Sequence, residues 1–351
     1  MALKSTSNNP IGVVGAGSFG TAIANILAEN NDVLLYSRTN TVVEQITKTR
    51  KNLGQTVHER VTAIHDLEQI GNNCNVIFPI VPSANFRDMM RNLAPYLKPY
   101  HVLIHGTKGL DINLPEGYKV TARSPLTREH VRTMSEVITE ESSVVRVGAL
   151  AGPNLSKEMA ARQPAASVVA SHFDEVINAG QKLLKSDRFL IYGSNDLIGI
   201  ELCGVLKNII AVGAGMIAGL GLGENSKALL ISRGMVEMIH IGKVLGGNVH
   251  AFLGLAGIGD LIATCSSPLS RNYSVGFRLA KGETMDQITE SLEETAEGIN
   301  SIEIIKSLST YYKIRVPITE TLHHIIHGDM TVQDASTYFM KFPFRAEIDF
   351  I

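Results

Sequence analysis

The stretch Ile11-Gly12-Val13-Val14-Gly15-Ala16-Gly17-Ser18-Phe19-Gly20 joins a short apolar run to a glycine-rich turn near the start of the chain. The apolar run predicts a strand buried on both faces, and the residues after the turn predict a helix. The glycines match a dinucleotide-binding loop: Gly15 permits the tight turn, Gly17 lets the backbone approach a pyrophosphate, and Gly20 lets helix and strand pack closely. We therefore expect NAD or NADP phosphates at this helix N-terminus, with a structural turn that binds no nucleotide as the alternative.

Strand-like and helical segments alternate over the first half of the chain. After the opening strand, further strand-like runs lie at residues 33–36, 76–81, 102–105, 144–150, 166–170 and 189–192. Strands that alternate with helices predict a mostly parallel α/β sheet of the Rossmann type. After residue 195 the pattern is helical, without strand alternation. We therefore predict an NAD(P)-binding Rossmann-like domain at residues 1–195 and an all-helical substrate-binding and catalytic domain at residues 196–351.

The charge of the chain argues against two kinds of partner. Among 351 residues there are 32 Lys and Arg against 34 Asp and Glu, a net charge of −2. This near-neutral balance gives no basic field for nucleic acid and no polybasic anchor for a membrane, so an anionic ligand must be bound by a local site. The composition, 44% hydrophobic and 19% charged, also excludes disorder as the general state of the chain.

Several features predict a soluble protein of the cytoplasm. Three cysteines (Cys74, Cys203 and Cys265) without CxxC spacing fit a reducing compartment. Residues 1–10 are polar and lack the apolar core of a signal peptide. The apolar, uncharged stretch of residues 209–223 is shorter than the roughly 20 residues of a membrane span and predicts a buried core helix.

The end of the second predicted strand indicates which cofactor is used. Sites that prefer NAD carry Asp or Glu here to bind the ribose 2′-hydroxyl, whereas this chain carries Ser37-Arg38. No acidic residue stands here to repel a 2′-phosphate, and Arg38 can form an ion pair with one. We expect NADP (NADPH) to be preferred and NAD (NADH) to be used as well. An arginine that merely faces solvent is the alternative.

Two lysines stand out by their surroundings. Lys108, in Gly106-Thr107-Lys108-Gly109, follows a predicted buried strand and so falls at the carboxyl edge of the sheet, where such sheets bind ligands. Lys207 and Asn208 lie in an otherwise apolar helical stretch, and an unpaired buried polar group costs about 1–3 kcal/mol. Burial lowers a lysine pKa toward the range in which the amine exchanges protons near neutral pH. This favours a catalytic lysine over one that extends to solvent at a domain surface.

A polar tripeptide farther along the chain can hold a phosphate. Ser270-Arg271-Asn272 offers several hydrogen-bond donors and one fixed positive charge, although alone it is no more than a common surface turn. Together with the glycine loop and the lysines it resembles the bacterial-type NAD(P)-dependent sn-glycerol-3-phosphate dehydrogenase family. The matching elements follow in the family's order and are Gly15-Ala16-Gly17-Ser18-Phe19-Gly20, Val81-Pro82-Ser83, Thr107-Lys108-Gly109-Leu110, Gly152-Pro153-Asn154, Lys207-Asn208, Gly257-Ile258-Gly259-Asp260-Leu261, Ser270-Arg271-Asn272, Glu297-Gly298 and Pro317-Ile318-Thr319.

The resemblance implies reversible hydride transfer between NAD(P)H and dihydroxyacetone phosphate, which gives sn-glycerol 3-phosphate for phospholipid synthesis. It implies that Lys207 is the proton acceptor and that Lys108 is a second lysine, in contact with both cofactor and substrate. The implied substrate-binding residues are Lys108, Gly152, Asn154, Lys207, Asn208, Asp260, Thr264, Ser270, Arg271 and Asn272. The implied cofactor-binding residues are Gly15, Gly17, Ser18, Phe19, Gly20, Arg38, Lys108, Ser156, Arg271, Thr295 and Glu297.

The chain departs from the family at a few positions. The family usually has Thr or Ser in place of Asn154, often Ala in place of Ser156, and often a valine pair in place of Thr295-Ala296. Residues 111–147 form a longer segment than in typical bacterial members, and the aromatic tail after Tyr338 matches nothing in the family. A homodimer is the family's common state, although no residue of the sequence by itself points to one.

Three other functions compete with this interpretation. A related two-domain dehydrogenase of hydroxy acids or keto acids leaves the Ser-Arg-Asn tripeptide unexplained, and a non-catalytic dinucleotide-binding protein needs neither lysine. His323 and His327 have the i, i+4 spacing of a helical zinc site. Neither an acidic nor a cysteine ligand is nearby in sequence, and hydride transfer from nicotinamide needs no metal. We therefore predict no metal and a helix with surface histidines.

Overall fold

The computed structural model describes residues 9–292 and 296–341, the last three of them as backbone only. Its contacts divide the chain into two compact units. The first comprises the described residues up to Thr107 together with Met134–Leu197. The second comprises Lys108–Thr133 together with the described residues from Ile198 onward. The segment Lys108–Thr133 therefore has its contacts in the helical unit, although it lies on the sheet side of residue 195 in the sequence.

The strands are short, and all but two pairs of them belong to one sheet. They are β1 (Ile11–Val14), β2 (Val33–Tyr36), β3 (Lys51–Asn52), β4 (Gln55–Thr56), β5 (Val61–Ile64), β6 (Val76–Pro79), β7 (Val102–His105), β8 (Asp111–Ile112), β9 (Val131–Arg132), β10 (Arg146–Ala151), β11 (Ala165–Ser171) and β12 (Phe189–Ser194).

Helices lie between most strands and make up the chain beyond the last one, within the residues described. They are α1 (Ser18–Leu27), α2 (Asn40–Thr49), α3 (Leu67–Asn73), α4 (Phe86–Leu93), α5 (Met134–Glu141), α6 (Ser156–Ala160), α7 (Asp174–Leu184), α8 (Leu197–Gly219), α9 (Glu224–Val244), α10 (Val249–Leu253), α11 (Asp260–Ser266), α12 (Arg271–Ala280), α13 (Met285–Ser291), α14 (Glu297–Tyr312), α15 (Pro317–Ile326) and α16 (Val332–Lys341). Single turns of 3₁₀ helix span Ser83–Asn85, Ala94–Tyr96 and Arg128–His130, and a π-helical turn, Leu255–Gly259, leads into α11.

The first unit is built on an eight-stranded sheet with the order β12-β11-β10-β7-β6-β1-β2-β5. Its strands pair in parallel except at β10–β11, which are antiparallel. Successive residues of a strand point to opposite faces. Accordingly Val13 belongs to the apolar cluster on one face, with Ile23 of α1, and Val14 to the cluster on the other, with Phe86 of α4. Both faces are covered, which explains why these strands are continuously apolar.

The regular elements described in the second unit are helices, apart from the two-residue pair β8–β9 within Lys108–Thr133. That segment is joined to α14, because the backbone N–H of Leu126 donates to Ser307 Oγ over 2.8 Å. Helices α8 and α12 approach so closely that a Cβ on Gly276 would lie 1.8 Å from the carbonyl oxygen of Val212.

Among the residues described, one helix, α8, is long and apolar enough to cross a membrane by length and composition. Of its most apolar 18-residue window, 94% is buried inside the protein. This burial is that of a core helix, as the sequence predicts for residues 209–223.

The predicted fold class is confirmed: a mostly parallel sheet with helices in the first half and a helical region in the second. Two features of the sheet were not predicted. β5 is an edge strand whose Val-Thr-Ala-Ile sequence contains no apolar run. The antiparallel pairing of β10 with β11 leaves no signal in apolar runs, because both directions bury the same side chains.

Candidate functional site

The glycine loop between β1 and α1 has the conformation that its sequence predicts. Gly15 adopts a φ of +122°, and a Cβ there would lie 2.0 Å from the carbonyl oxygen of Ile80. A Cβ on Gly20 would lie 1.9 Å from the carbonyl oxygen of Gly15. A Cβ on Gly17 would meet no atom within 4 Å. The loop is therefore closely packed at its first and last glycines and open at the middle one, where a phosphate needs room.

A short hairpin, β3–β4, holds the glycine loop from the side. Asn52 donates from Nδ2 to the carbonyl oxygen of Ala16 and to Thr21 Oγ1, both over 2.8 Å. Gln55 donates from Nε2 to the Ser18 carbonyl oxygen over 2.8 Å and to Ser18 Oγ over 3.2 Å. Both side chains are buried. These contacts were not predicted from the sequence: Gly54 signals the turn, but no pattern shows which loop its flanking amides reach.

The loop also contacts α6. Ser18 Oγ and Ser156 Oγ are 2.8 Å apart and share a hydrogen bond, so Ser156, a departure from the family's usual alanine, bonds to a loop residue. The ring of Phe19 lies against Gly106, where a Cβ would come within 2.9 Å of it. These two contacts place Ser18, Phe19 and Ser156 at the same loop.

Arg38, the residue predicted to select the cofactor, lies two residues beyond β2 and is exposed. Ser37 beside it is buried and accepts a hydrogen bond from the N–H of Thr39 over 3.2 Å. Within the part of the chain that the structure describes, the guanidinium of Arg38 forms no hydrogen bond or ion pair. The side chain is therefore accessible to an anion.

Gly152 and Asn154 follow β10 in the first unit. Gly152 has a φ of +140°, which favours glycine. Asn154 accepts a hydrogen bond at Oδ1 from Ser167 Oγ over 2.5 Å. Its Nδ2 is buried and has no hydrogen-bond partner among the described residues. An unsatisfied buried donor at this position is consistent with a ligand contact.

The second unit contains a buried lysine–aspartate cluster. Lys207, on α8, donates from Nζ to Asp260 Oδ1 over 2.9 Å and to Thr264 Oγ1 over 2.6 Å. Lys108 donates from Nζ to Asp260 Oδ2 over 2.7 Å. Asp260 and Thr264 are one turn apart on α11, so both face the same lysine. Lys207 is 6% exposed and Asp260 2%, which places this charge network in the interior.

The electrostatics of the cluster tune both partners. Burial lowers the pKa of Lys207 to about 8, the attraction of Asp260 opposes this shift, and the repulsion of Lys108 adds to it. Burial alone would raise the pKa of Asp260, but the attraction and hydrogen bonds of Lys108 and Lys207 hold it below its ordinary value. Lys207 is therefore an amine that can exchange a proton near neutral pH while Asp260 stays charged.

Asn208 and Asn272 connect this cluster to neighbouring helices. Asn208 donates from Nδ2 to the carbonyl oxygen of Lys108 over 3.3 Å. Asn272 accepts at Oδ1 from the N–H of Gly298 over 2.9 Å. A Cβ on Gly298 would lie 2.8 Å from the carbonyl oxygen of Asn208, so a glycine is needed where α8, α12 and α14 meet.

The remaining predicted residues lie at helix starts. Ser270 caps α12 by accepting from the N–H of Tyr273 over 3.3 Å, and Arg271 is the first residue of that helix and is exposed. Glu297 is the first residue of α14. Thr295 lies outside the described residues, as do the phenylalanines at 342, 344 and 350 of the aromatic tail.

Each unit thus gathers part of the predicted set. In the first unit the structure brings together Gly15, Gly17, Ser18, Phe19, Gly20 and Ser156. In the second it brings together Lys108, Lys207, Asn208, Asp260 and Thr264. Arg38, Gly152 and Asn154 belong to the first unit, and Ser270, Arg271, Asn272 and Glu297 to the second.

A Rossmann-type sheet with an open glycine loop, and a helical unit with a buried lysine tuned for proton exchange, define the class of nucleotide-dependent dehydrogenases. Two family models match the chain: the N-terminus of NAD-dependent glycerol-3-phosphate dehydrogenase over residues 10–177 and its C-terminus over residues 196–337. The chain belongs to the NAD-dependent glycerol-3-phosphate dehydrogenase family, as its motifs predict.

Two similar proteins are named glycerol-3-phosphate dehydrogenase, and a third shares only the fold. Glycerol-3-phosphate dehydrogenase [NAD(P)+] of Pseudomonas paraeruginosa is 38% identical over 351 residues, which cover 99% of this chain and 98% of that protein. The crystal structure of glycerol-3-phosphate dehydrogenase from Coxiella burnetii is 31% identical, with a TM-score of 0.84 over 95% of this chain and 99% of that one. A ketopantoate reductase from Ralstonia eutropha, 14% identical with a TM-score of 0.56 over 93% of this chain and 99% of that one, shares the fold alone.

Proposed function

We propose that this protein interconverts dihydroxyacetone phosphate and sn-glycerol 3-phosphate with NAD(P)H or NAD(P)⁺. The observation that carries the proposal is the buried contact of Lys207 with Asp260 and Thr264, in a chain whose relatives are named for this reaction. The non-catalytic alternative gives no reason to place two ammonium groups on one buried carboxylate.

The glycine loop is the proposed site of the cofactor pyrophosphate. It fits this group because the space beyond Gly17 is open and the α1 N-terminus has no side-chain cap, which leaves its N–H donors available. Bound NADPH or NADH supplies the hydride that reduces the substrate carbonyl. Ser18 and Ser156, which share a hydrogen bond, and Phe19 are further cofactor contacts that we propose. The family resemblance adds Arg271, Thr295 and Glu297 to the proposed cofactor contacts.

Lys207 is the proposed proton donor and acceptor. An ammonium group has three N–H donors, and Asp260 and Thr264 take two of them among the described residues. The third is available for the substrate oxygen, on which negative charge develops during reduction. Because the pKa of Lys207 is lowered to about 8, both its charged and its neutral form exist near neutral pH. The charged form donates the proton in reduction, and the neutral form accepts it in oxidation.

The other residues orient and bind. Asp260 accepts from both lysines and keeps their amines at fixed positions, while Lys108 adds a second positive charge beside the reacting oxygen. Ser270 and Arg271, at the start of α12, are the proposed phosphate ligands together with Asn272, since a helix N-terminus and a guanidinium both favour an anion. Gly152 and Asn154 complete the proposed substrate contacts, with Asn208 and Thr264 as supporting polar groups.

We further propose NADPH as the preferred cofactor, because Arg38 is exposed and unpaired by other described side chains at the end of β2. A cytoplasmic homodimer that supplies glycerol phosphate for phospholipid synthesis fits the family and remains part of this proposal. The domain division is also part of this proposal, with a nucleotide-binding domain at residues 1–195 and a substrate-binding and catalytic domain at residues 196–351.

The test is the loss of reduced-nicotinamide absorbance with dihydroxyacetone phosphate, with NADPH and NADH run in parallel. We expect oxidation of both cofactors and a lower KM for NADPH. A panel of 2-oxo acids serves as the matched control, and we expect no turnover with them. Turnover of a 2-oxo acid in place of the phosphorylated ketone would replace this proposal by the keto-acid dehydrogenase alternative.

A further inference from the structure

Helices α14 and α15 bring together three side chains that carry metal-binding atoms. Glu303 lies on α14, His323 lies on α15, and His327 caps the end of α15. One ligand atom of each residue lies within 4.8 Å of the other two. Sequence spacing reveals only the histidine pair, because the carboxylate comes from another helix.

The separations suit a small tetrahedral ion. His323 Nε2 lies 3.4 Å from Glu303 Oε2, and His327 Nε2 lies 2.8 Å from Glu303 Oε1. Zinc bonds of about 2.0–2.2 Å at tetrahedral angles place neighbouring ligand atoms roughly 3.3–3.5 Å apart. The first pair is already at this separation. The second pair ends on the other carboxylate oxygen and is about half an ångström shorter than this separation. A single Glu303 oxygen therefore joins both histidines at the ion only after these exposed side chains rotate.

We propose that Glu303, His323 and His327 bind a zinc ion, with solvent completing its coordination. Two imidazole nitrogens and one carboxylate form a ligand set that zinc uses in proteins, whereas Mg²⁺ prefers oxygen ligands alone. The side chains of Glu303, His323 and His327 are 43%, 25% and 50% exposed, so an ion can enter from solvent. The neighbouring cation Lys306 is bonded to Glu320 over 2.5 Å, which limits its repulsion of the ion.

The bound ion would link α14 to α15. α15 is already held at its other end, where Glu237 accepts from the N–H groups of Ile318 and Thr319. A metal link at the C-terminal end of α15 should therefore raise the thermal stability of the helical unit. The Nδ1 atom of His323 is buried and has no hydrogen-bond partner among the described residues, so this ring lacks the second bond that orients most ligating histidines. We expect micromolar rather than nanomolar affinity.

The test is a calorimetric zinc titration of the full-length, untagged protein after treatment with EDTA. We expect one zinc ion per chain, no heat with Mg²⁺, and with Co²⁺ the strong visible absorption of tetrahedral coordination. The melting temperature should rise with zinc. Absence of zinc binding, or Co²⁺ with only the weak absorption of an octahedral aquo-ion, would overturn the proposal.

Variants locate the ion. His327→Ala and Glu303→Gln should each weaken zinc binding by at least about tenfold. Loss of a residue that only hydrogen-bonds to a metal ligand already costs about that much. His324→Ala is the matched control, because His324 lies on the same helix but bonds to Asp329. It should bind zinc as the unaltered protein does. Equal weakening in all three variants, or in none, would place the zinc elsewhere and overturn the assignment.

Discussion

The glycine loop and the lysine–aspartate cluster are held together by different forces. Around the loop, neutral amides and hydroxyls bond to backbone: Asn52 and Gln55 reach Ala16 and Ser18. In the cluster, two ammonium groups share one buried carboxylate, that of Asp260. A neutral hydrogen bond contributes about 0.5–1.5 kcal/mol to stability, whereas removing one partner of a buried ion pair costs about 3–5 kcal/mol.

This difference separates binding from chemistry. Each contact of the glycine loop contributes little to stability, and the loop positions the cofactor. Loss of one such contact should therefore change the KM for the cofactor. The cluster concentrates charge at a proton-exchanging amine, so its loss should change kcat. Substitutions in the two regions test this separation of binding from chemistry.

The largest effect is expected for Lys207→Met, which keeps a side chain of similar length and removes the proton-exchanging amine. General acid–base groups contribute about 10²–10⁴-fold, so kcat should fall by about a thousandfold. The dissociation constant for NADPH, measured by fluorescence titration, should change little. Lys182→Met, on the exposed face of α7, is the matched control and should leave kcat unchanged. A residual kcat within tenfold of the unaltered protein would remove Lys207 from its role.

Asp260→Asn should have the next largest effect. It removes the attraction that opposes the lowering of the Lys207 pKa by burial, so that pKa should fall further below about 8. Less of the amine is then charged at neutral pH, and kcat for reduction should fall about a hundredfold. The readout is the pH profile, which should move to lower pH. Asp286→Asn, an exposed residue of α13, should leave both rate and profile unchanged, and an unmoved profile in Asp260→Asn would contradict the coupling.

Gln55→Ala tests the loop side of the division. Two hydrogen bonds to Ser18 are lost, and the loop is less well positioned. The KM for NADPH should rise about tenfold while kcat stays within about twofold. Gln69→Ala, on the exposed face of α3, should change neither constant. A fall in kcat with an unchanged KM would show that the hairpin acts on chemistry after all.

Arg38→Ala should have the smallest effect, because the side chain is exposed and its contact with a 2′-phosphate competes with water. The KM for NADPH should rise about fivefold, and that for NADH should stay constant. Arg60→Ala, another exposed arginine of the same unit, should alter neither. An equal change in both KM values would mean that Arg38 does not read the 2′-phosphate.

Sequence patterns predicted most where the relevant residues are neighbours in the chain. The turn at Gly15 and the opening at Gly17 follow from a strand, a motif and a helix within ten residues. Lys207 could be singled out as a candidate catalytic residue because it is a charged residue within an apolar helix. Its lowered pKa was predictable for the same reason, since burial is its main cause.

Contacts between distant positions were not predictable in this way. That Asp260 bonds Lys108 as well as Lys207 depends on how α8, α11 and the segment Lys108–Thr133 pack, and no local pattern encodes it. The same holds for Asn52 and Gln55 on the glycine loop and for Glu303 beside the histidine pair. Position along the chain does not indicate these contacts either: the segment Lys108–Thr133 precedes three strands of the sheet, yet its contacts are those of the helical unit.

The pH dependence of kcat in both directions shows whether Lys207 carries the proton. A deuterated nicotinamide should be compared with the ordinary one to confirm that hydride transfer limits the rate. If Lys207 carries the proton, reduction of dihydroxyacetone phosphate should slow as pH rises above about 8, and oxidation of glycerol phosphate should quicken through the same value. Both limbs should vanish in the residual activity of Lys207→Met. Profiles that are flat on both sides of that value, or limbs that persist without Lys207, would contradict the account.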